Sequence, residues 1–534
     1  MPRQLPADCL NEIFEYLEED KKTLQSCLLV NHLYCEIAVR ILWRNVWNFQ
    51  YKARASSSII GTLISCLPKE SKELLYKNGI LIIDQTQRSP FFNYPSFCKV
   101  LSIHKIDHMI QHNLETQQLI NLGSLNYIKY LFSQEILKMF MKQISSLKSL
   151  DYYSDESKNI QNFMIIYFPG AENCLTYLTE LNCSSDIYAE FFYQISQICH
   201  NIKSITIDFE DIISDGLTEL ISLQKHLKNL KLLSNNYGGT ENFTSSLTKS
   251  SLTLTKLVIM QYYIPLSFIS IFKNLQELVL SFDYRDSFYD FNMLQYITFS
   301  HLRVLKFLFA IPRVETLIKF LEINGKNLTE FHVGDHDNSL NLAVAKFCPS
   351  LKNLITLFEE NELETLKIIL NNCQYLESIR VWCGEGYLND KEFLNVLVNY
   401  SPKYFNKLGI FYYIFNKTSI ILSKDLEEFF INWKNRISQN SLSLTIYKNF
   451  DGFGLESNVE NMEIIKKYMK LEEHISSRQK KPVTNSKKAF SALEIIAECL
   501  GYPDSLLKDV NSLNKFIEQE IEKLGYETFY YKSH

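Results

Sequence analysis

A three-anchor rhythm recurs along most of this chain: an apolar residue, a second three positions later, and a third two positions after that. The fullest copy is Leu227, Leu230 and Leu232, followed by Asn235. Other copies include Leu178, Leu181, Cys183; Ile202, Ile205, Ile207; Leu254, Leu257, Ile259; Leu275, Leu278, Leu280; Leu302, Leu305, Phe307; Leu328, Phe331, Val333; Leu376, Ile379, Val381; and Phe405, Leu408, Ile410. From Leu150 to Leu408 the middle anchors return every 21 to 31 residues, a beat that scattered leucines would not keep. The last two anchors alternate as side chains do on a strand. The stretches between, such as Ala189 to Cys199, Val314 to Ile323, Leu340 to Phe347, Leu363 to Asn371 and Lys391 to Asn399, carry apolar residues at helical spacing. Each unit therefore reads as strand, turn and helix. One unit alone cannot bury its apolar face, so neighbours must stack.

The triplets and the Asn235 turn resemble the leucine-rich repeat. That resemblance implies an α/β fold: a curved solenoid with a parallel sheet on its concave face. Cys199, Cys348 and Cys373 each stand three residues before a first anchor, similar to the cysteine-containing repeat subclass often found behind an F-box. With one thiol per unit and no Cys-x-x-Cys pair, no metal site is expected of them.

Strand parity names a binding face. If the last two anchors point into the core, the residues flanking them face the concave side, which exposes Lys231, Val258, Met260, Lys306, His332, Arg380, Trp382 and Phe411. Met, Trp, Phe and Arg together have the character of a surface that holds a target protein. The competing reading is that a helix or tail of the same chain fills this groove.

The first fifty residues carry a different pattern. Leu10, Ile13, Phe14 and Leu17 lie on one helical stripe; Leu24, Cys27 and Leu28 on a second; Leu33, Ile37, Ala38 and Ile41 on a third. Three helices this short bury little area by themselves and should lean on a partner or on the next domain. Leu5-Pro6, Ile13-Phe14 with Tyr16-Leu17, Leu24 with Leu29-Val30, and Leu42-Trp43 resemble the F-box in order, with departures at Asn31 and Tyr34. The resemblance implies docking to a Skp-type adaptor, and through it to a cullin, with Leu5, Pro6, Leu10, Ile13, Leu17, Leu24 and Val30 forming or supporting the face. A plain helical cap on the repeats would show the same stripes.

The organisation expected is an F-box over 1–50, a linker with degenerate first repeats or a cap over 51–146, and the solenoid over 147–450. A polar basic linker over 451–489 and a C-terminal helical segment over 490–534 follow. Ile80 to Ile83 and Val100 to Ile103 read as strands inside the second of these. Arg478, Lys480, Lys481, Lys487 and Lys488 make the linker basic, and a solvated connector is preferred to a nuclear-localisation or ubiquitin-accepting role.

Composition excludes several classes. Hydrophobic residues form 46% and charged residues 22% of 534, with 16 Gly and 12 Pro, so a disordered chain is excluded. A net charge of -5 gives no global pull toward nucleic acid or membrane, and any charged partner must be read locally. Without a signal-like or membrane-spanning run, a cytoplasmic or nuclear location is expected. No Gly-x-x-x-x-Gly-Lys, His-Glu-x-x-His or Gly-x-Ser-x-Gly occurs, and neither cofactor nor catalytic constellation is expected. His332, Asp335, His336 and Asp337 have ligand-type chemistry, which makes a repeat-borne metallohydrolase the third reading. A solvated turn containing Gly334 and Asn338 is preferred there. The function expected is substrate recognition for a cullin-RING ubiquitin ligase; the alternative is a leucine-rich-repeat scaffold acting outside ligases.

Overall fold

The computed structural model describes residues 7–48, 53–80, 90–116, 122–153, 164–210, 212–234, 241–384, 386–413, 421–436, 442–447 and 458–473. Leu5, Pro6, Leu81 to Ile83, Asn235, the basic segment from Ser476 to Lys488 and the C-terminal 490–534 lie outside them. Two compact units, Met1–Ile264 and Pro265–His534, divide the chain.

The first unit begins with α1 (Ala7–Glu15), α2 (Lys21–Cys27) and α3 (His32–Leu42). Asp20 caps α2 by accepting the Thr23 N–H at 3.1 Å, and Asn31 caps α3 by accepting the Tyr34 N–H at 2.9 Å. Asn31, one departure from the F-box pattern, thus satisfies a helix start that a cysteine would satisfy less well. Tyr34, the other, sets its ring edge-on to Phe14 at 5.2 Å. Leu10, Phe14, Leu24, Ile37, Ala38, Ile41 and Leu42 close a small core.

Helices α4 (Ala53–Cys66) and α5 (Lys69–Lys77) lead to β1 (Val100–Ser102), α6 (Ile103–Thr116) and α7 (Leu122–Gln143). The repeats run on through β2 (Ser149–Tyr152), α8 (Ala171–Leu175), β3 (Glu180–Ser184), α9 (Ala189–Ile198), β4 (Ser204–Phe209), α10 (Asp215–Leu223), β5 (Asn229–Ser234) and β6 (Lys256–Met260). These six strands pair in parallel and in sequence order. Leu101, Leu150, Leu181, Ile205, Leu230 and Leu257 stand in one register and are buried, so the middle anchors form a continuous apolar row. Strand pairing starts at β1, within the stretch expected to hold degenerate repeats. Helix α10 lies so close to α9 that a Cβ on Gly216 would sit 2.3 Å from the Ala189 carbonyl oxygen, which only glycine permits.

The second unit contains β7 (Glu277–Ser281), β8 (Val304–Phe307), α11 (Val314–Asn324), β9 (Glu330–Val333), α12 (Asn338–Phe347), β10 (Asn353–Ile355) and α13 (Leu363–Asn372). It continues with β11 (Ser378–Gly384), α14 (Asp390–Tyr400), β12 (Lys407–Tyr413), α15 (Ser423–Lys434), β13 (Ser443–Tyr447) and α16 (Val459–Glu473). Its seven strands are again parallel and sequential, aligning Leu278, Leu305, Phe331, Leu354, Ile379, Leu408 and Leu444.

Two expectations are corrected. The strand-turn-helix rule fails at Glu241–Ser250, Leu266–Ile271, Arg285–Phe288 and Phe291–Met293, which are 3-10 turns. At Pro265 the connection is too short for an α-helix, and the Asp290 carboxylate caps the tighter turn by accepting the Leu266 and Ser267 N–H groups at 2.8 and 2.9 Å. Within the stretch expected to be a linker, α16 is an ordered helix on α15. Ile465 is buried, the Asn461 side-chain amide donates to the Ile421 carbonyl at 3.0 Å, and Tyr468 stacks on Phe430. The apolar spacing of Val459, Met462 and Ile465 carries this helix and is simply shorter than the preceding repeats' stripes.

Candidate interaction surfaces

The N-terminal helices have an inner and an outer side. On the inner side the Lys99 and Val100 N–H groups donate to the Arg44 carbonyl at 2.9 and 3.1 Å, and the Trp47 indole N–H donates to the Val100 carbonyl at 2.7 Å. Arg44 also holds Glu15 in a two-pronged ion pair at 2.5 Å, which lowers the Glu15 carboxyl pKa. On the outer side Ile13, Tyr16, Leu29 and Val30 are exposed by 47%, 88%, 89% and 60%, more than apolar residues in a self-sufficient helical cap need be. Among the residues expected to dock an adaptor, Ile13 and Val30 are exposed and Leu17 is half-buried. Leu10 and Leu24 sit in the helical core, so of the two roles expected, forming or supporting the face, only support is open to them. Tyr16 and Leu29 belong among the exposed set: the F-box resemblance includes them, and both lie off the apolar helical stripes.

The sheet face turned away from the helices follows the expected parity where burial alternates, as in β4, β8, β9 and β11. In the first unit Ser102, Asp151, Asn182, Thr206, Lys231 and Val258 form one row. The Asn182 amide donates to Asp151 at 2.8 Å, and burial raises the Asp151 carboxyl against the opposing pull of Asn182, Lys105 and Ser102. Lys231 is half-buried there. Val258 and Met260 are corrected as contact residues: they face outward, yet only 8% and 4% of their surfaces are accessible, because both faces of β6 are covered.

In the second unit Lys306, His332, Ile355 and Arg380 share a row, and Trp382 pairs with Phe411 one step along. The two rings stack at 4.5 Å and 18°. Lys306 is held by Glu330 at 2.9 Å. Burial pushes His332 down to about 3, helped by the positive charges of Lys306 and Arg380. A neutral imidazole between two cations, beside an aromatic pair, can receive a carboxylate and an apolar side chain from a partner.

The four residues with ligand-type chemistry are engaged separately. Asp335 pairs with Arg285 at 3.2 Å, and Asp337 caps α12 by accepting the Leu340 N–H at 3.0 Å. His336 Nε2 lies 3.0 Å from both oxygens of the buried Glu362 carboxylate. Among the described residues no group of three or more His, Cys, Asp or Glu is placed to share an ion.

Among the described residues, six strands of the first unit and seven of the second run parallel and in sequence order within each unit, carrying the apolar triplet or a degenerate form of it, which makes the fold α/β and of the leucine-rich-repeat type. No protein-family model matches the chain, and no curated protein matches it. Among solved structures it is similar to the crystal structure of the Rad7 and Elc1 complex in yeast, at 17% identity and a TM-score of 0.34 over 60% of this chain and 90% of that one. It is also similar to the leucine-rich repeat-containing protein LegL7 from Legionella pneumophila, at 14% identity and a TM-score of 0.31 over 63% and 93%.

Proposed function

We propose that the chain is the substrate-recognition subunit of a cullin-RING ubiquitin ligase, working in the cytoplasm or nucleus. The N-terminal helices dock a Skp-type adaptor through Ile13, Leu17 and Val30, with Leu5 and Pro6 as the resemblance implies. The helix-free sheet faces hold the target, through Lys231 in the first unit and Lys306, His332, Arg380, Trp382 and Phe411 in the second. The reading assigns this chain no bond-making step: it supplies proximity, and other subunits transfer ubiquitin. What carries it is the exposure of Ile13, Tyr16, Leu29 and Val30 on a unit whose core is already closed by its own side chains.

One observation favours the rival, a repeat scaffold outside ligases whose N-terminal helices are a cap: those helices are hydrogen-bonded to β1 through Arg44 and Trp47. Capping uses the inner side and leaves the outer side unaccounted for. Co-purification with a Skp-type adaptor separates the two readings, using Leu5→Glu/Pro6→Glu and Ile13→Asp variants. Capture by the parent chain and its loss in both variants supports docking; capture that survives both changes, or no capture at all, leaves the scaffold.

A further inference from the structure

The first unit carries a second surface, at the rim from which its strands start. The residue immediately after each first anchor joins a hydrogen-bonded ladder. Lys148 N–H donates to the Lys99 carbonyl, Thr179 to Lys148, Lys203 to Thr179, Lys228 to Lys203 and Thr255 to Lys228, all at 2.8 or 2.9 Å. Four of these six positions are lysine. Strand spacing places Lys203 and Lys228 about 4.8 Å apart along the backbone, an arrangement in which like charges repel.

The protein does little to offset that repulsion. Lys148, Lys203 and Lys228 are exposed, and among the described residues no direct ion pair or hydrogen bond holds their ammonium groups, although the Glu15 carboxylate attracts Lys148 through space. Lys99 donates to Ser146 Oγ at 2.8 Å, and its pKa is lowered by burial and then by Lys148 and Arg44. The second unit treats the equivalent ladder differently. There Lys352 follows Thr329, Glu377 follows Lys352, and the Lys352 ammonium lies 2.8 Å from the Glu377 carboxylate. The second ladder sets Arg303 and Lys352 against the carboxylate of Glu377, whereas the rungs from Lys99 to Thr255 hold four lysines and no carboxylate.

A cleft of about 470 Å³ opens on the positive rim, lined by Ser146, Lys148, Tyr177 and Thr179. Because Lys99 donates into the Ser146 oxygen, the hydrogen of that hydroxyl is left to point elsewhere, and Tyr177 brings a second hydroxyl with 65% of its surface exposed. We propose that this rim docks an acidic segment of a partner polypeptide, with one carboxylate in the cleft at Lys148 and further carboxylates at Lys203 and Lys228. The spacing discriminates between anions. Thr179 and Glu180 interrupt the row between Lys148 and Lys203, which repels a continuous phosphate backbone but admits a peptide with a neutral or basic residue at that step. Beyond Arg44, whose carbonyl starts the ladder, and Tyr177 beside the cleft, the rungs from Lys99 to Thr255 carry no arginine and no aromatic ring of the kind that nucleic-acid grooves interleave for stacking.

The test is fluorescence anisotropy on the full chain with a short labelled peptide of alternating Glu and Ala, its Gln counterpart, a single-stranded oligonucleotide, and phosphatidylserine vesicles. The variants are Lys148→Gln/Lys203→Gln/Lys228→Gln and, as a control, Lys352→Gln. All of these side chains are exposed, and circular dichroism verifies their folding. The Glu peptide alone should bind, more weakly as salt rises, with about a tenfold or greater loss in the triple variant and none in the control. The proposal is overturned if the Glu peptide fails to bind, if the triple variant binds it as well as the parent, or if the oligonucleotide or vesicles bind more tightly than the peptide. Adaptor capture plays no part in the measurement, so its outcome is independent of the ligase reading.

Discussion

The Cys373 thiol donates to the backbone carbonyl of Cys348, 3.4 Å away and one repeat earlier. The Cys199 thiol does the same to Leu175 at 3.2 Å. In the intervening and neighbouring repeats the task passes to amides. Gln224 donates to the Cys199 carbonyl at 2.9 Å and accepts the Ile202 N–H at 3.1 Å. Asn324 accepts the Phe299 N–H at 2.7 Å and donates to Ile297 and Phe320. The cysteines that mark these repeats are thus one solution to a recurring problem: a buried carbonyl at the helix end that needs a donor.

A thiol is a weak donor and an amide a strong one, so their losses differ. Cys373→Ala should cost about 1 kcal/mol, whereas Asn324→Leu strands a buried N–H and two carbonyls and should cost about 2–4 kcal/mol. Urea unfolding of the two variants checks the order.

Burial pushes Cys199 and Cys373 up to about 12 and raises Cys98, Cys183 and Cys348 further. Thiolate is therefore scarce at neutral pH for all five. A thiol reagent should label the exposed Cys9 in the folded chain and leave these five unmodified until denaturant is added, as peptide mapping would show.

His332 makes stability depend on pH. Its folded value of about 3 lies below the unfolded value near 6.5, so the unfolded chain binds a proton that the folded chain refuses. The contribution is complete above about pH 6.5 and is lost as pH falls toward about 3, at roughly 1.4 kcal/mol per unit. Between about pH 7 and about pH 5 the parent should lose about 2 kcal/mol more than His332→Gln; equal losses in denaturant titrations would contradict the assignment.

Glu362 is 5% exposed in its side chain and is satisfied by His336 and by the Glu359 N–H at 3.0 Å. His336→Ala should destabilise by about 1–3 kcal/mol, because it leaves a buried carboxylate short of a partner. Removing both side chains should cost less than the sum of the single changes in a double-mutant cycle.

In the N-terminal unit, surface and core respond oppositely. Leu24→Ala removes a fully buried side chain and should cost about 2–5 kcal/mol. Ile13→Asp should leave the melting temperature nearly unchanged while abolishing adaptor capture.

The repeat architecture was legible because one constraint governs every unit: an alternating pair must face the core, so Leu150, Leu230 and Leu408 keep their beat. Face parity was legible for Arg380, Trp382 and Phe411 for the same reason. What periodicity cannot encode is coverage. Val258 and Met260 sit at outward positions yet are buried, and Leu10 shares its stripe with the exposed Ile13 because a core stripe and an interface stripe have the same spacing. The 3-10 turns were hidden for another reason: Asp290 caps the turn at Leu266 from 24 residues away, a contact that no local pattern records. The lysine ladder was hidden by the net charge, since Lys148, Lys203 and Lys228 come together only once the strands are stacked.

Hydrogen exchange of the full chain with and without a purified Skp-type adaptor tests the central claim most directly. New protection should be confined to the amides of 7–17 and 27–31, around Ile13, Tyr16, Leu29 and Val30, with exchange in β1–β13 unchanged. Protection that appears in the repeats and spares those two stretches would contradict it.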